Sequence, residues 1–245
     1  EDLKENSMKV FDSYLKNGFT QAGFFKESVS FDRGYEDPVH SIRRQSEGVY
    51  AMLHFLAYER ENGRRHPEWE QKMKNMLDIL LQLQHEDGSF PRKFHDDFTI
   101  VDNSGGSTPS ATLPLIMGYK YFKDKRYLAS AKRTADYLEK VLISKADYFS
   151  STLDANCEDK EASLYAATAT YYLSLITKGD EHRHYADLTR KAAYFALSWY
   201  YVWDVPFAQG QMLGDIGLKT RGWGNVSVEN NHIDVFVFEF ASVLQ

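Results

Sequence analysis

A chain of 245 residues, 43% of them hydrophobic and 26% charged, is long enough to bury a core without a structural metal or a disulfide framework. Its formal net charge of −6, with Lys and Arg dispersed, excludes a nucleic-acid-binding surface, and no apolar run approaches the roughly 20 residues of a membrane span. The single cysteine, Cys157, excludes an intramolecular disulfide and a multi-cysteine zinc site, and leaves the compartment open between the cytoplasm and the secreted or periplasmic side.

The first residues, EDLKENSMK, lack the apolar segment of a signal peptide, although a signal already removed would leave no trace. MKVFDSYLKNGF then reads as helix interior. From Ser41 the run SIRRQSEGVYAMLHFLAYER places Val49, Met52, Leu53, Leu56 and Ala57 at helical spacing, and Asn62-Gly63 ends it. Arg43-Arg44 and Arg64-Arg65 read as solvated helix ends. Pro67 opens the next helix, PEWEQKMKNMLDILLQLQ, in the first turn where proline is tolerated. The pairing recurs: STPSATLPLIMGYKYF with KRYLASAKRTADYLEKVL, then CEDKEASLYAATATYYLSLI with HRHYADLTRKAAYFALSWYYV. In each pair the first helix carries few charges in its middle, as an inner helix packed on both sides would. The second has one polar face, as an outer helix would. This is an α-hairpin repeat, and stacked hairpins of this kind close into a toroid.

Three loops differ from the short charged turns within hairpins: HEDGSFPRKFHDDFTIVDNSGGS, SKADYFSSTLDAN and WDVPFAQGQMLGDIGLKTRGWGNVSVEN. They are long, aromatic and rich in Asp, Asn and Gly. Loops of that length in a helical domain point to one working face.

LQLQHEDGSFP matches the Gln-x-x-Asp-Gly-Ser-aromatic pattern at hairpin ends of α/α-toroid proteins, with Phe90 where many members have Trp. Together with the alternating hairpins, the chain resembles the six-hairpin carbohydrate-active enzymes, the glycoside hydrolases and polysaccharide lyases. The resemblance implies an all-α, α/α-hairpin toroid, an oligosaccharide or polysaccharide partner and no cofactor. The turn motif also occurs in terpene cyclases and prenyltransferases, but no consecutive-aspartate motif stands in a suitable helix here. Three complete hairpins can be traced where a six-hairpin toroid needs more chain. The expectation is therefore a single domain over 1–245 that is a partial toroid: either a fragment of a longer chain or a toroid lacking its closing hairpins. A related subgroup with a cysteine nucleophile beside zinc needs several cysteines, which Cys157 alone does not provide.

The candidate chemistry lies in two stretches. In TLDANCEDKEASLYAA, Asp154, Glu158, Asp159 and Glu161 surround Cys157. One account is capping: Asn156 caps the helix, Asp159 takes its third position, and Glu158 and Glu161 oppose the positive end of the helix dipole. The other is catalytic: a carboxylate at a helix start protonates a glycosidic oxygen or activates water, with a second carboxylate facing it. That second group is expected in TRGWGNVSVENNHIDVF, where Arg221, Trp223, Glu229, Asn231, His232 and Asp234 combine a flat apolar ring with hydrogen-bonding groups suited to sugar hydroxyls. Its competing account is a helix start capped by Asn230 or Asn231.

Glycoside hydrolysis needs two carboxyl groups about 5 to 5.5 Å apart for retention or roughly 6.5 to 9.5 Å apart for inversion. The expected pair takes one acid from Asp154, Glu158 and Asp159, and one from Glu229 and Asp234. A lyase acting on uronic-acid polymers would use Arg221 and His232 with a tyrosine, and a noncatalytic glycan-binding repeat module would need neither.

Other signals read as structure. His85, Asp87, His95, Asp96 and Asp97 lie around a turn, Asp102 to Ser107 form a flexible connector, and His182 and His184 begin an outer helix rather than a metal site. GDIGLKT lacks the spacing and preceding strand of a phosphate loop. The stripe Tyr194, Phe195, Trp199, Tyr200, Tyr201 and Trp203 reads as core and rim packing, and Arg44, Gln45 and Glu47 as an exposed helix start.

Overall fold

The helical hairpins stand where the periodicity predicts them. The computed structural model of the chain describes residues 2–30, 32, 34–149, 156–228, 233–234 and 240–245. Helix α1 (Asp2–Asn17) precedes the pairs α2 (Ile42–Glu61) with α3 (Pro67–Leu83), α4 (Thr108–Phe122) with α5 (Lys125–Tyr137), and α6 (Lys160–Ile176) with α7 (Gly179–Leu197); short helices α8 (Met212–Asp215) and α9 (Phe240–Leu244) come later. Antiparallel pairs of very short strands decorate the loops: β1 (Val29–Ser30) with β2 (Tyr35–Glu36), β3 (Val39–Ser41) with β4 (Lys93–His95), β4 with β5 (Ile100–Asp102), and β6 (Gly224–Asn225) with β7 (Ile233–Asp234). No helix among the described residues is long and apolar enough to cross a membrane.

Local chemistry sets the helix ends. The Ser41 hydroxyl accepts from the Arg44 amide at 3.3 Å and starts α2, and Gly63, at φ +76°, turns the chain after Asn62. Pro67 occupies the first turn of α3, and Lys123 closes α4 in the left-handed conformation. The division of labour within a hairpin follows from its side chains. Every residue of α4 from Thr108 to Gly118 is buried, and so is every residue of α6 from Lys160 to Thr170. Helix α3 instead buries the stripe Trp69, Met73, Met76, Leu77, Leu80 and Leu83, with the three- and four-residue spacing of a helix that has one dry face.

The chain divides into two compact units, Glu1–Tyr137 and Leu138–Gln245. In the first, α2 packs against both α3 and α4, and Phe24, Ile42, Leu53, Met73, Phe90 and Phe94 are among its buried apolar residues. The LQLQHEDGSFP turn joins α3 to α5. The Gln84 side-chain amide donates to the Ser130 carbonyl at 3.0 Å and the Thr134 hydroxyl at 2.9 Å, while its oxygen accepts from the Ser130 hydroxyl at 2.7 Å. Asp87 accepts from the amide and hydroxyl of Ser89, Gly88 adopts φ +91°, and Phe90 is fully buried. The turn reading of Asp87-Gly88 agrees with this geometry.

Two expectations are corrected in this unit. The segment Asp102 to Ser107 is no flexible connector: Asp102 pairs with Lys93 in the sheet, and Gly105, Gly106 and Ser107 form a buried 3-10 turn. A Cβ at Gly105 would lie 2.0 Å from the Tyr137 hydroxyl, so the glycine gives that ring its place. The start of α2 is not simply exposed either. Gln45 is buried and behaves like a strand backbone, accepting from the Phe25 amide at 2.9 Å and donating to the Phe25 carbonyl at 2.8 Å, while Arg44 donates to the Glu27 carbonyl at 3.0 Å.

The second unit begins with a π-helical turn, Leu138–Ile143, and is built on α6 and α7, which α9 also contacts. His182 and His184 lie at the start of α7, where the first meets the Ser174 carbonyl at 2.8 Å and the second the Glu139 carboxylate at 3.0 Å. Of the aromatic stripe, Phe195 packs on Tyr148 with centroids 4.5 Å apart, but Tyr194 and Trp203 are 68% and 62% exposed, which corrects their assignment to packing.

Candidate functional site

Extended segments of the second unit meet at the start of α6. Glu158 and Asp159 sit in β-bridges, the first with Phe149 and the second with Ser227, so the backbone remains extended through Asp159. This corrects the expected helix start. Asn156 does not cap α6, and Asp159 is not its third residue; Asp159 is the N-cap, and its carboxylate accepts from the Glu161 amide at 2.7 Å. Strand pairing to Tyr148 and Ser227 holds the chain out of the helical region until Lys160. The Asp159 amide donates to the Tyr148 carbonyl at 2.7 Å, the Lys160 amide to the Val226 carbonyl at 3.1 Å, and the Val228 amide to the Glu158 carbonyl at 3.3 Å.

The sequence segments carrying the two candidate constellations are therefore adjacent, joined by backbone. Arg221 and Trp223 follow Thr220 in a turn: the Trp223 amide donates to the Thr220 carbonyl at 2.9 Å, and its carbonyl accepts from the Tyr201 amide at 2.8 Å. The Arg221 side chain is exposed, and Trp223 is half-buried. Asp234 lies in β7 opposite Gly224, and Gly224 bridges Tyr200. The β6–β7 pair also shows that the chain after Trp223 runs as strand at 224–225 and 233–234, not straight into a helix start, because Gly224 and Asn225 find backbone partners at Asp234 and Ile233. Asp154, Glu229, Asn231 and His232, with the candidate caps Asn230 and Asn231, lie outside the described residues.

The acids at the α6 start have unlike surroundings. Asp159 is fully buried and Glu161 nearly so. Glu158 is half-buried, and both its carboxylate oxygens accept from the Tyr148 amide at 3.1 Å. Burial raises the Glu158 pKa above the usual glutamate range, against the Tyr148 amide, and the carboxylates of Asp147 and Asp159 add to the rise. A carboxyl that keeps its proton longer than usual is suited to general-acid chemistry.

Sequence reasoning passed over one residue of this site. Lys160 is fully buried, with its ammonium 5.5 Å from the Tyr200 ring centroid. The signal was available in the sequence as a lysine placed among acids at a helix start, against the sense of the helix dipole. Among the described residues, no group of three or more His, Cys, Asp or Glu side chains is placed to hold a metal ion.

No family model matches the chain. Among solved structures it is similar to an unsaturated glucuronyl hydrolase specific for heparin (17% identity, TM-score 0.56, covering 78% of this chain and 54% of that one). It is also similar to an unsaturated glucuronyl hydrolase from Streptococcus agalactiae (11% identity, TM-score 0.56, 76% and 51%). A D-mannose isomerase matches at 15% identity and TM-score 0.61 over 98% of this chain and 64% of that one. The chain thus spans about half the length of the glucuronyl hydrolases. The all-α, α/α-hairpin toroid expected from the hairpin motifs is the fold of these neighbours, and the chain shares that fold.

Proposed function

We propose that this chain carries the acid/base site of a glycoside hydrolase acting on oligosaccharides, with Glu158 as the proton donor to the glycosidic oxygen. The observation that carries this reading is the environment of Glu158: a half-buried carboxyl with a raised pKa, fixed by the Tyr148 amide and joined by backbone pairing to the segment that supplies Arg221 and Trp223. Asp159, next in sequence, caps the helix start. Asp234 and Glu229 are the candidates for the partner carboxylate, with Asp154, Asn231 and His232 as further contributors. Trp223 would offer a face to a sugar ring, and Arg221 a donor for a hydroxyl or an acidic substituent. The glucuronyl hydrolases among the neighbours make uronyl oligosaccharides the first substrates to try.

A second reading, isomerisation of a free aldose, is favoured by the D-mannose isomerase match over nearly the whole chain. One panel separates the readings. The protein is incubated with neutral, unsaturated uronyl and intact uronate oligosaccharides and with mannose, and new reducing ends, new ultraviolet absorbance and ketose are followed separately. New reducing ends that fall about 100-fold or more in kcat in Glu158→Gln support the hydrolase. Ultraviolet-absorbing ends indicate a lyase, and ketose from mannose an isomerase. Glycan binding without turnover leaves a noncatalytic module, and retained hydrolysis in Glu158→Gln removes Glu158 from the role.

A further inference from the structure

A lysine is almost never fully buried unless it is paired, and desolvating its ammonium is unfavourable by several kcal/mol. Lys160 is 0% exposed and also occupies the first position of α6, where the helix dipole disfavours a cation. Its surroundings offset this. Asp159 and Glu161 flank it in sequence, and the Tyr200 ring lies 5.5 Å from its Nζ, an arrangement that attracts a cation.

Gly224 completes the fit. Its backbone has no left-handed φ, so conformation does not require a glycine there. Space does: a Cβ at Gly224 would stand 3.0 Å from the Lys160 Nζ, 3.2 Å from its Cδ and 3.3 Å from Tyr200. The lysine therefore runs from the helix start, under β6, to Tyr200. Gly224 in turn follows Trp223, bridges Tyr200 and lies opposite Asp234.

We propose that Lys160 is the positioning residue of this site, its buried ammonium fixing the carboxylates of the α6 start and the Arg221–Trp223 turn in one arrangement by filling the space that Gly224 leaves. The effect on turnover rests on the hydrolase reading; the effect on the carboxylates does not. Tyr200 faces the ammonium; the other titratable groups on the segments paired at the α6 start are Tyr148, Glu158, Asp159 and Glu161, and Asp234 stands opposite Gly224 in backbone register.

The test is a titration of the whole chain labelled with carbon-13 at its Asp and Glu carboxyl groups, followed by NMR, in the wild type, Lys160→Met, Lys160→Arg and Gly224→Ala. Removing the cation in Lys160→Met should raise the titration midpoints of the α6-start carboxyls by about one pH unit, and Lys160→Arg should largely restore them. Gly224→Ala keeps the lysine but displaces it, and should shift the same midpoints upward. In both shifted variants the amides of Lys160 and Val228 should exchange with solvent at least about tenfold faster, as their bonds to Val226 and Glu158 loosen. If Lys160→Met does not fold, Gly224→Ala decides. Unchanged midpoints in a folded Lys160→Met or Gly224→Ala overturn the proposal. A wild type that hydrolyses no oligosaccharide sinks the hydrolase reading, and the titration then judges Lys160 by itself.

Discussion

Glu59, which is buried, and Glu158, which is half-buried, are carboxylates whose surroundings move their proton affinities in opposite directions. The Arg64 guanidinium, helped by His66, holds Glu59 down at about 2 from an ordinary value of 4.5. A lowered folded pKa contributes stability that is complete above the unfolded value and lost as pH falls toward the folded one. Glu59→Gln should therefore lower stability at pH 7 by about 1 to 3 kcal/mol, and the gap to wild type should close on acidification, as urea midpoints between pH 7 and pH 2 would show. Glu158 is raised, chiefly by burial, so the sign reverses. Its contribution is complete below the unfolded value and lost as pH rises through the folded one. Glu158→Gln should gain stability relative to wild type as pH rises above the ordinary glutamate value, read from urea midpoints, while losing turnover, the trade expected of a group held for chemistry rather than for folding.

The turn after α3 shows the same economy among elements. Gln84 reaches across to the backbone of α5, and Gly88 sits so close to that helix that a Cβ there would be 2.1 Å from the Arg133 carbonyl oxygen. Gly88→Ala must therefore push α5 away and also strain a left-handed backbone, which should destabilise the chain by about 2 kcal/mol or more. Gln84→Ala, which leaves the backbone alone, should be milder, at about 1 to 2 kcal/mol by chemical denaturation. These hairpins were legible because apolar period, proline and glycine act locally. The true start of α6 was not: Asn156 and Asp159 are both good caps by residue type, and the choice between them was made by strand pairing with Tyr148 and Ser227, residues distant in sequence. The clamp formed by Gln45 was hidden for the same reason, since its partner is the Phe25 backbone. In the candidate site the acids and the Arg221–Trp223 turn could be picked out as unusual, but their adjacency depends on backbone bonds that leave no side-chain pattern to read.

Across the whole molecule, each unit has its own buried residues, and the long loop before β6 carries several exposed apolar ones. Trp203, Met212 and Ile216 all stand in solvent, whereas Tyr137 at the boundary of the first unit is buried. Brief chymotrypsin digestion should therefore cut first between Val202 and Leu218, detected by mass spectrometry, and spare Tyr137. That loop is tied at its neck. Asp204 accepts from the amides of Thr220 and Arg221 at 3.0 and 3.1 Å, and the Thr220 hydroxyl accepts from the Val205 amide at 2.7 Å. Because both ends are pinned by a side chain at the root, what lies between them can vary in length with only a slow rise in closure entropy. The tip is thus a ready port for foreign sequence: an epitope or a reactive tag spliced at Gly210 would be displayed outward, leaving the root that holds Arg221 in place.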